Sequence, residues 1–157
     1  MTRCPWVWLS FLAVVCGSVA VGCGPGGGGG VVAKGKLLDG GTPAAIPDYK
    51  ESSNCYELEF FPLDASGNLA VARSYRATVA QDGSFSVTDQ TGKGGIPPGK
   101  YRVAVARIGQ AGGGEAEDLW QGKFGRQVSP FTCEVKAGEE ITIELKGAKP
   151  TGKPPET

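Results

Sequence analysis

The chain contains 157 residues, with 16 Lys and Arg against 16 Asp and Glu, 26 glycines and no histidine. A sequence without His excludes Ser-His-Asp and Cys-His catalytic systems, imidazole bases and histidine ligands to zinc. The balanced charge argues against electrostatic binding of nucleic acid. Glycine at more than twice its usual level of about 7% predicts many turns and few helices.

Residues 1–22 have the composition of a secretory signal peptide. Arg3 supplies a positive charge near the N-terminus, and residues 6–21 carry no charge and are mostly apolar. The apolar run is shorter than the roughly 20 residues that cross a bilayer. A Gly-rich stretch follows it at once, so the sequence predicts a signal that is removed.

The end of this segment, Ala20-Val21-Gly22-Cys23, resembles the lipobox of bacterial lipoproteins. The resemblance implies cleavage between Gly22 and Cys23 and attachment of lipid to Cys23. Such a lipid would anchor the chain to a membrane, because each buried CH₂ contributes about 0.8 kcal/mol. Cys16 fits the pattern less well, since a bulky residue precedes it. An ordinary cleaved signal and an uncleaved anchor are the alternatives. The predicted location is the bacterial cell envelope, with the folded part outside the cytoplasm.

Two cysteines remain when the signal is removed and Cys23 carries lipid. Because an exported chain meets an oxidising compartment, a Cys55–Cys133 disulfide is one expectation, and two separate small apolar residues are the other. The alternation of the sequence places Cys133 on the core face of its strand and Cys55 on the face opposite to Leu58. A bridge needs Cα atoms within about 7 Å, so this difference argues against the bond.

Composition divides the exported part into three segments. Residues 23–30 form a Gly-rich linker, which has no side chains to bury and would hold the domain away from the membrane. Residues 147–157 are rich in Pro and polar residues and predict a disordered tail. Residues 31–146 between them have the length of one domain with a single core.

Alternating apolar and polar residues predict strands throughout this domain. Turn signals separate the strands, and Asp82-Gly83 is the strongest signal for a hairpin. No stretch of ten or more residues after the signal has a helical period. We therefore predict an all-β, seven-stranded antiparallel β-sandwich. The candidate strands lie at 31–38, 56–60, 69–79, 85–87, 101–105, 131–135 and 141–145.

Four motifs resemble, in their order, those of transthyretin-like domains, also called carboxypeptidase regulatory-like domains. The motifs are VAKGKLLDGGTP at 32–43, AQDGSFSV at 80–87, IPPGKYRV at 96–103 and the segment 120–145. The resemblance implies the transthyretin-like form of the sandwich, serving as an accessory or adhesive module, and the motifs bring no catalytic residues. The enzymes related to this fold, which hydrolyse a purine-pathway intermediate, rely on histidines that the sequence lacks.

Elementary physical chemistry gives three residues of these motifs a role in the fold. Gly83 supplies a positive φ in its turn. Pro98 fixes φ where one strand stops and the next begins. Tyr101 combines a large apolar ring with a hydroxyl that reaches nearby backbone.

Few residues are candidates for chemistry. Three Gly-Lys segments approach a phosphate-binding loop but lack the hydroxyl residue that follows the Lys, so we predict no nucleotide site. Glu57 and Glu59 share one face of a strand, which we interpret as a solvated outer face. Trp120 and Phe124 lie beside a Gly-rich loop. They form either an aromatic platform for a sugar or a peptide, or a cover over the open end of the sandwich.

Together these observations predict a non-enzymatic, lipid-anchored protein of the cell envelope that needs no cofactor and no metal. Its expected partners are membrane lipid, through Cys23, and an envelope protein or a glycan. Nucleic acid and nucleotides are not expected. The alternative function is a carbohydrate- or peptide-binding module that uses Trp120 and Phe124.

Overall fold

A computed structural model describes most of the residues after the predicted signal. The described residues are 30–70, 73–89, 91, 94–110 and 114–152. The signal peptide with Gly22, the lipid-bearing Cys23 and the linker up to residue 29 lie outside them, as do residues 153–157. The interpretations of those segments therefore stay predictions.

The described residues form nine strands and no helix. The strands are β1 (Ala33–Asp39), β2 (Thr42–Pro43), β3 (Cys55–Pro62), β4 (Tyr75–Val79), β5 (Ser84–Val87), β6 (Gly99–Gln110), β7 (Ala116–Asp118), β8 (Thr132–Val135) and β9 (Glu140–Glu144). For the described residues, the prediction of an all-β fold is confirmed. The predicted count of seven is wrong, because β2 and β7 have two and three residues and are too short to show an alternation.

The strands form two sheets around one core. In the first sheet β1 lies between β9 and β5, and β2 pairs with the end of β1. In the second sheet the order is β4, β3, β6, with β7 and β8 pairing with opposite ends of β6. Buried side chains from both sheets belong to one cluster, which is the arrangement of a β-sandwich.

One pair of strands departs from the predicted antiparallel arrangement. β9 runs parallel to β1, with Lys34 opposite Glu140 and Leu38 opposite Glu144. The other pairs of strands in the described residues are antiparallel. Alternation along the sequence indicates which face of a strand is buried, but it carries no information on the direction of a distant neighbour.

The turn at Asp82-Gly83 forms, but it does not make a hairpin within one sheet. Gly83 has a φ of 78°, and its N–H donates to the carbonyl of Ala80 at 2.9 Å. The strand before the turn, β4, belongs to the second sheet, and the strand after it, β5, belongs to the first. The turn is therefore the corner at which the chain passes from one sheet to the other.

The first sheet depends on a glycine at the centre of β1. Gly35 lies opposite Phe85 of β5 and Ile141 of β9. A Cβ atom on Gly35 would lie 2.2 Å from the backbone oxygen of Ile141 and 2.4 Å from Cζ of Phe85. Because real Cβ atoms do not approach so closely, only glycine lets the Phe85 ring pack across β1.

The longest strand, β6, separates the core from the outer face of the second sheet. Tyr101, Val103 and Val105 are buried in the core, and the residues between them face outward. The Tyr101 hydroxyl donates to the carbonyl of Pro97 at 2.7 Å. This bond confirms the role that the sequence predicts for the polar end of the tyrosine.

Residues 147–152 belong to the domain rather than to a disordered tail. Ala148 packs against the core, and the N–H of Thr151 donates to the carbonyl of Val128 at 2.7 Å. This corrects the predicted domain boundary at residue 146. The composition of the segment gives no sign of this docking, because a backbone hydrogen bond to a distant loop needs no particular side chain.

Candidate functional site

A concavity of about 200 Å³ lies on the outer face of the second sheet, away from the core. Ala104 and Ala106 of β6 form its floor, with Glu57 and Glu59 of β3 along one side. We call it the outer-face pocket. Its lining consists of Glu57, Leu58, Glu59, Arg76, Ala104, Val105, Ala106, Asp118, Gly125 and Arg126.

Strand register explains why the sheet is hollow at this point. Glu57 is paired with Ala106, and Glu59 is paired with Ala104. Paired residues of neighbouring strands project from the same face of a sheet. Two long side chains therefore stand beside two methyl groups, and the difference in length leaves the space.

The wall on the other side of the floor is the loop 119–131, between β7 and β8. β8 pairs with one end of β6 and β7 with the other, and the loop covers the stretch between them. There the N–H of Val105 donates to the carbonyl of Phe124 at 3.0 Å. This bond holds the loop against β6 and brings Gly125 and Arg126 to the rim of the pocket.

Asp118 fixes the beginning of this loop through its carboxylate. Oδ1 accepts the N–H groups of Arg107 and Trp120, each at 3.0 Å, and Oδ2 accepts the N–H of Gly122 at 2.8 Å. By accepting three backbone hydrogen bonds, this carboxylate provides partners for N–H groups that have no backbone acceptor in the turn. Asp118 therefore builds the wall, and its oxygens are occupied in doing so.

The two glutamates of the pocket differ in their partners. Glu59 Oε1 lies 3.6 Å from Nε of Arg76 and accepts the hydroxyl of Ser74 at 2.6 Å. The Arg76 side chain is 75% exposed, so this ion pair contributes less than about 1 kcal/mol. Glu57 is exposed and makes no hydrogen bond or ion pair within the described residues.

Arg126 makes the other end of the pocket positive. The guanidinium carbon of Arg126 lies 5.0 Å from the centre of the Phe61 ring, a distance at which a cation is attracted to the ring. Arg102 is paired with Phe61 across β3 and β6. Its Nε is buried and has no hydrogen-bond partner in the described part of the chain. Such a donor is costly to leave unpaired.

Sequence reasoning found part of this pocket. It singled out Glu57 and Glu59 but interpreted them as an ordinary solvated face. It missed Arg126, which follows β7 and comes to the sheet through a loop. The available signal was the alternation in RVAVAR at 102–107, where the outward positions of a strand are alanines rather than long polar residues.

Trp120 and Phe124 lie in the loop that runs along the middle of β6 and do not form an open platform. Phe124 is 3% exposed and belongs to the core cluster, so its ring offers no face to a ligand. Trp120 is half-buried, and its ring centre lies 5.4 Å from that of Phe124 and 5.5 Å from that of Tyr56. The burial of Phe124 therefore argues against the platform, and the pair packs onto the core beside β6.

The two cysteines are not brought together. Cys55 and Cys133 are free thiols. Cys55 pairs with Ile108 and Cys133 with Tyr101, seven residues apart along β6, which corresponds to about 23 Å. Because a disulfide needs Cα atoms within about 7 Å, the expected bridge is corrected to two separate thiols. The unlike faces that the alternation predicts are the first reason, and the separation along β6 is the second.

Burial makes both thiols poor nucleophiles. Desolvation raises the pKa of Cys133 from 9.0 to about 12. Desolvation, with a smaller contribution from the charge of Glu57, also raises the pKa of Cys55, whose Sγ donates to the carbonyl of Glu51 at 3.1 Å. The thiolate is the reactive form, so both side chains are unreactive at neutral pH.

Two kinds of site are absent from the residues that the structure describes. These residues contain no group of three or more Cys, Asp or Glu placed to hold a metal ion. They also contain no helix with the length and apolar character needed to span a membrane.

The fold and the pocket together define an all-β, two-sheet protein with a charged concavity on one outer face. No protein-family model, no curated protein and no solved structure matches the chain.

Proposed function

We propose that this chain is a non-enzymatic, lipid-anchored protein of the bacterial cell envelope, whose transthyretin-like β-sandwich is a binding or scaffolding module outside the cytoplasm. The observation that carries the proposal is the sequence Ala20-Val21-Gly22-Cys23 after an uncharged apolar run. In this proposal the chain is cut after Gly22 and Cys23 carries the lipid, so that membrane lipid is the first partner.

The start of the β-domain supports a tethered arrangement. Residues 24–30 read GPGGGGG, and Val31 then forms a backbone bridge with Ile96. A Gly-rich segment behaves as a flexible coil with a root-mean-square length of about 5–6 Å times the square root of its residue number. A stalk of this kind leaves the domain free to meet an envelope protein or a glycan beside the membrane.

Several contacts support the transthyretin-like form of the sandwich. Three of the motifs that carry the resemblance meet physical requirements of the two sheets. Gly35 admits the Phe85 ring, Gly83 turns the chain between sheets, and Tyr101 bonds to the carbonyl of Pro97.

The chemistry of the side chains supports a role without catalysis. The sequence has no imidazole, and the raised pKa of Cys133 and of Cys55 keeps both described thiols protonated. Asp118 uses its carboxylate to hold a loop, and Glu59 is engaged by Ser74 and Arg76. What remains in the outer-face pocket is suited to binding.

Labelling with radioactive palmitate in a bacterial host tests the anchor. We expect label on the chain as it is and on the Cys16→Ala variant, which is the matched control within the same leader. The Cys23→Ala variant is expected to lose the label and to accumulate at the size of the unprocessed chain. Label that persists in Cys23→Ala, or an unprocessed natural chain recovered from the cytosol, would contradict the proposal.

A further inference from the structure

We propose that the outer-face pocket binds a short zwitterionic peptide, with the ligand carboxylate on Arg126 and the ligand ammonium group on Glu57. The inference rests on the proposed function, because it names the ligand class of the binding module. It depends on residues of the described domain and not on the lipid.

The floor of the pocket suits the body of such a ligand. Ala104 and Ala106 present only methyl groups between the negative end of the pocket at Glu57 and the positive end at Arg126. The volume of about 200 Å³ is below the range of roughly 300–1,000 Å³ that holds drug-sized molecules. A peptide backbone with small side chains fits a floor of this kind, whereas a bulky ligand does not.

The positive end has a guanidinium with its donors available. The Arg126 guanidinium carbon lies 5.0 Å from the centre of the Phe61 ring, and its N–H groups can bind a carboxylate in a bidentate way. It makes no hydrogen bond or ion pair with another described residue. Arg102 is paired with Phe61 across β3 and β6 and lies next to this end of the pocket, outside its lining.

The negative end is Glu57. This glutamate stands beside Ala106 and is exposed. Glu59 is not equivalent, because Ser74 and Arg76 already occupy it. The acidic group that is free to receive an ammonium is therefore at the end of the floor opposite to Phe61.

The spacing of the two ends selects the length of the ligand. Glu57 and Phe61 are four residues apart on β3, about 13 Å between Cα atoms. An extended tripeptide spans about 10 Å, and the two side chains supply the remaining reach. Glu57 and Arg126 do not pair with each other in the described residues, so a ligand that carries both charges completes the arrangement.

The test is a calorimetric titration of the full chain, purified with its lipid in detergent micelles. The probes are trialanine, N-acetyl-trialanine, which lacks the ammonium, and trialanine amide, which lacks the carboxylate. Glu57 and Arg126 are both exposed, so each charged contact is partly screened by solvent, and we expect each cap to weaken binding about two- to fivefold.

Two variants assign each charge to its partner. Arg126→Gln is expected to bind trialanine no better than its amide, and Glu57→Gln no better than the acetylated form. Lys123→Gln is the matched control for Arg126, because Lys123 stacks on Phe124 instead. Glu134→Gln on β8 is the control for Glu57. Both controls are expected to retain the full discrimination.

Three results would overturn the inference. They are no heat from trialanine at millimolar concentration, equal binding of the capped and uncapped peptides, and binding of glucuronate with no response to trialanine. The anchor is tested separately, since pocket variants should keep the palmitate label and Cys23→Ala should keep peptide binding. Loss of one property without the other shows which proposal has failed.

Discussion

The two faces of β6 put alternate residues of one strand to opposite uses. Toward the core, Tyr101, Val103 and Val105 are at most 2% exposed and fill the space between the sheets. Toward the outside, Ala104 and Ala106 leave space and make the floor of a pocket. The comparison shows that the inward residues of β6 stabilise the fold and that its outward residues form a pocket. Substitutions on the two faces should therefore have different consequences.

The largest expected effect comes from overfilling the core side. Gly35→Ala places a methyl group 2.2 Å from the backbone oxygen of Ile141, so the strands must move apart. We expect a loss of about 3 kcal/mol in the free energy of unfolding, measured by urea denaturation. Gly152→Ala is the control, because its Cβ would meet Val128 at an ordinary 3.5 Å. Equal stability of the two variants would contradict the packing described for β1.

The next effect comes from emptying the core face of β6. Val103→Ala removes two buried methyl groups and is expected to lower the free energy of unfolding by about 2 kcal/mol. Val32 is 47% exposed, so Val32→Ala should change it by less than about 0.5 kcal/mol. Thermal and urea unfolding of the two variants measure the difference. A similar loss at both positions would show that β6 does not separate core from surface as described.

Alkaline pH should lower the stability of the domain through two groups, Tyr101 on β6 and its partner Cys133 on β8. Desolvation raises the pKa of Tyr101 from 10.0 to about 12, and that of Cys133 from 9.0 to about 12. A folded-state pKa above the unfolded value gives stability that is complete below the unfolded pKa and is lost as pH rises toward the folded one. We therefore expect unfolding to become easier between about pH 9 and pH 12.

Two substitutions show how much each group contributes to the loss of stability at alkaline pH. Tyr101→Phe also removes the bond to Pro97, so it should cost about 1 kcal/mol at neutral pH and flatten the profile above pH 10. Cys133→Ala should flatten it from pH 9. Denaturant midpoints measured across this range provide the check. A profile unchanged in both variants would mean that neither group is desolvated as the contacts indicate.

The smallest effect on stability belongs to the outer face. Ala104→Leu adds a side chain where the sheet has open space, so the free energy of unfolding should change by no more than about 0.5 kcal/mol. The same side chain fills the floor of the pocket, and trialanine binding in the calorimeter should be lost. Full binding in a folded Ala104→Leu variant would place the ligand elsewhere.

The sequence predicted the features that local alternation and turn chemistry control. The buried faces of β3 and β9, the positive φ of Gly83 and the hydrogen bond of Tyr101 all depend on a few neighbouring residues. In each case the signal and the structure that it determines lie in the same short segment.

The features that the sequence missed depend on segments that meet from far apart. The parallel pairing of β9 with β1 joins the two ends of the domain. Arg126 reaches Phe61 because a hydrogen bond between Val105 and Phe124 docks a loop. Thr151 is held by the carbonyl of Val128. Contacts between such distant segments leave no signal in the local sequence. The sequence therefore identified only two residues of the outer-face pocket, the glutamates on β3.

The position of β1 between β9 and β5 has a mechanical consequence. Gly30 leads directly into this central strand, which is hydrogen-bonded along both of its edges. A force pulling on that end of the domain is therefore shared by two ladders, and it must disrupt a parallel and an antiparallel pairing together. The strand that follows Gly30 is thus the one that resists being drawn out of the sandwich.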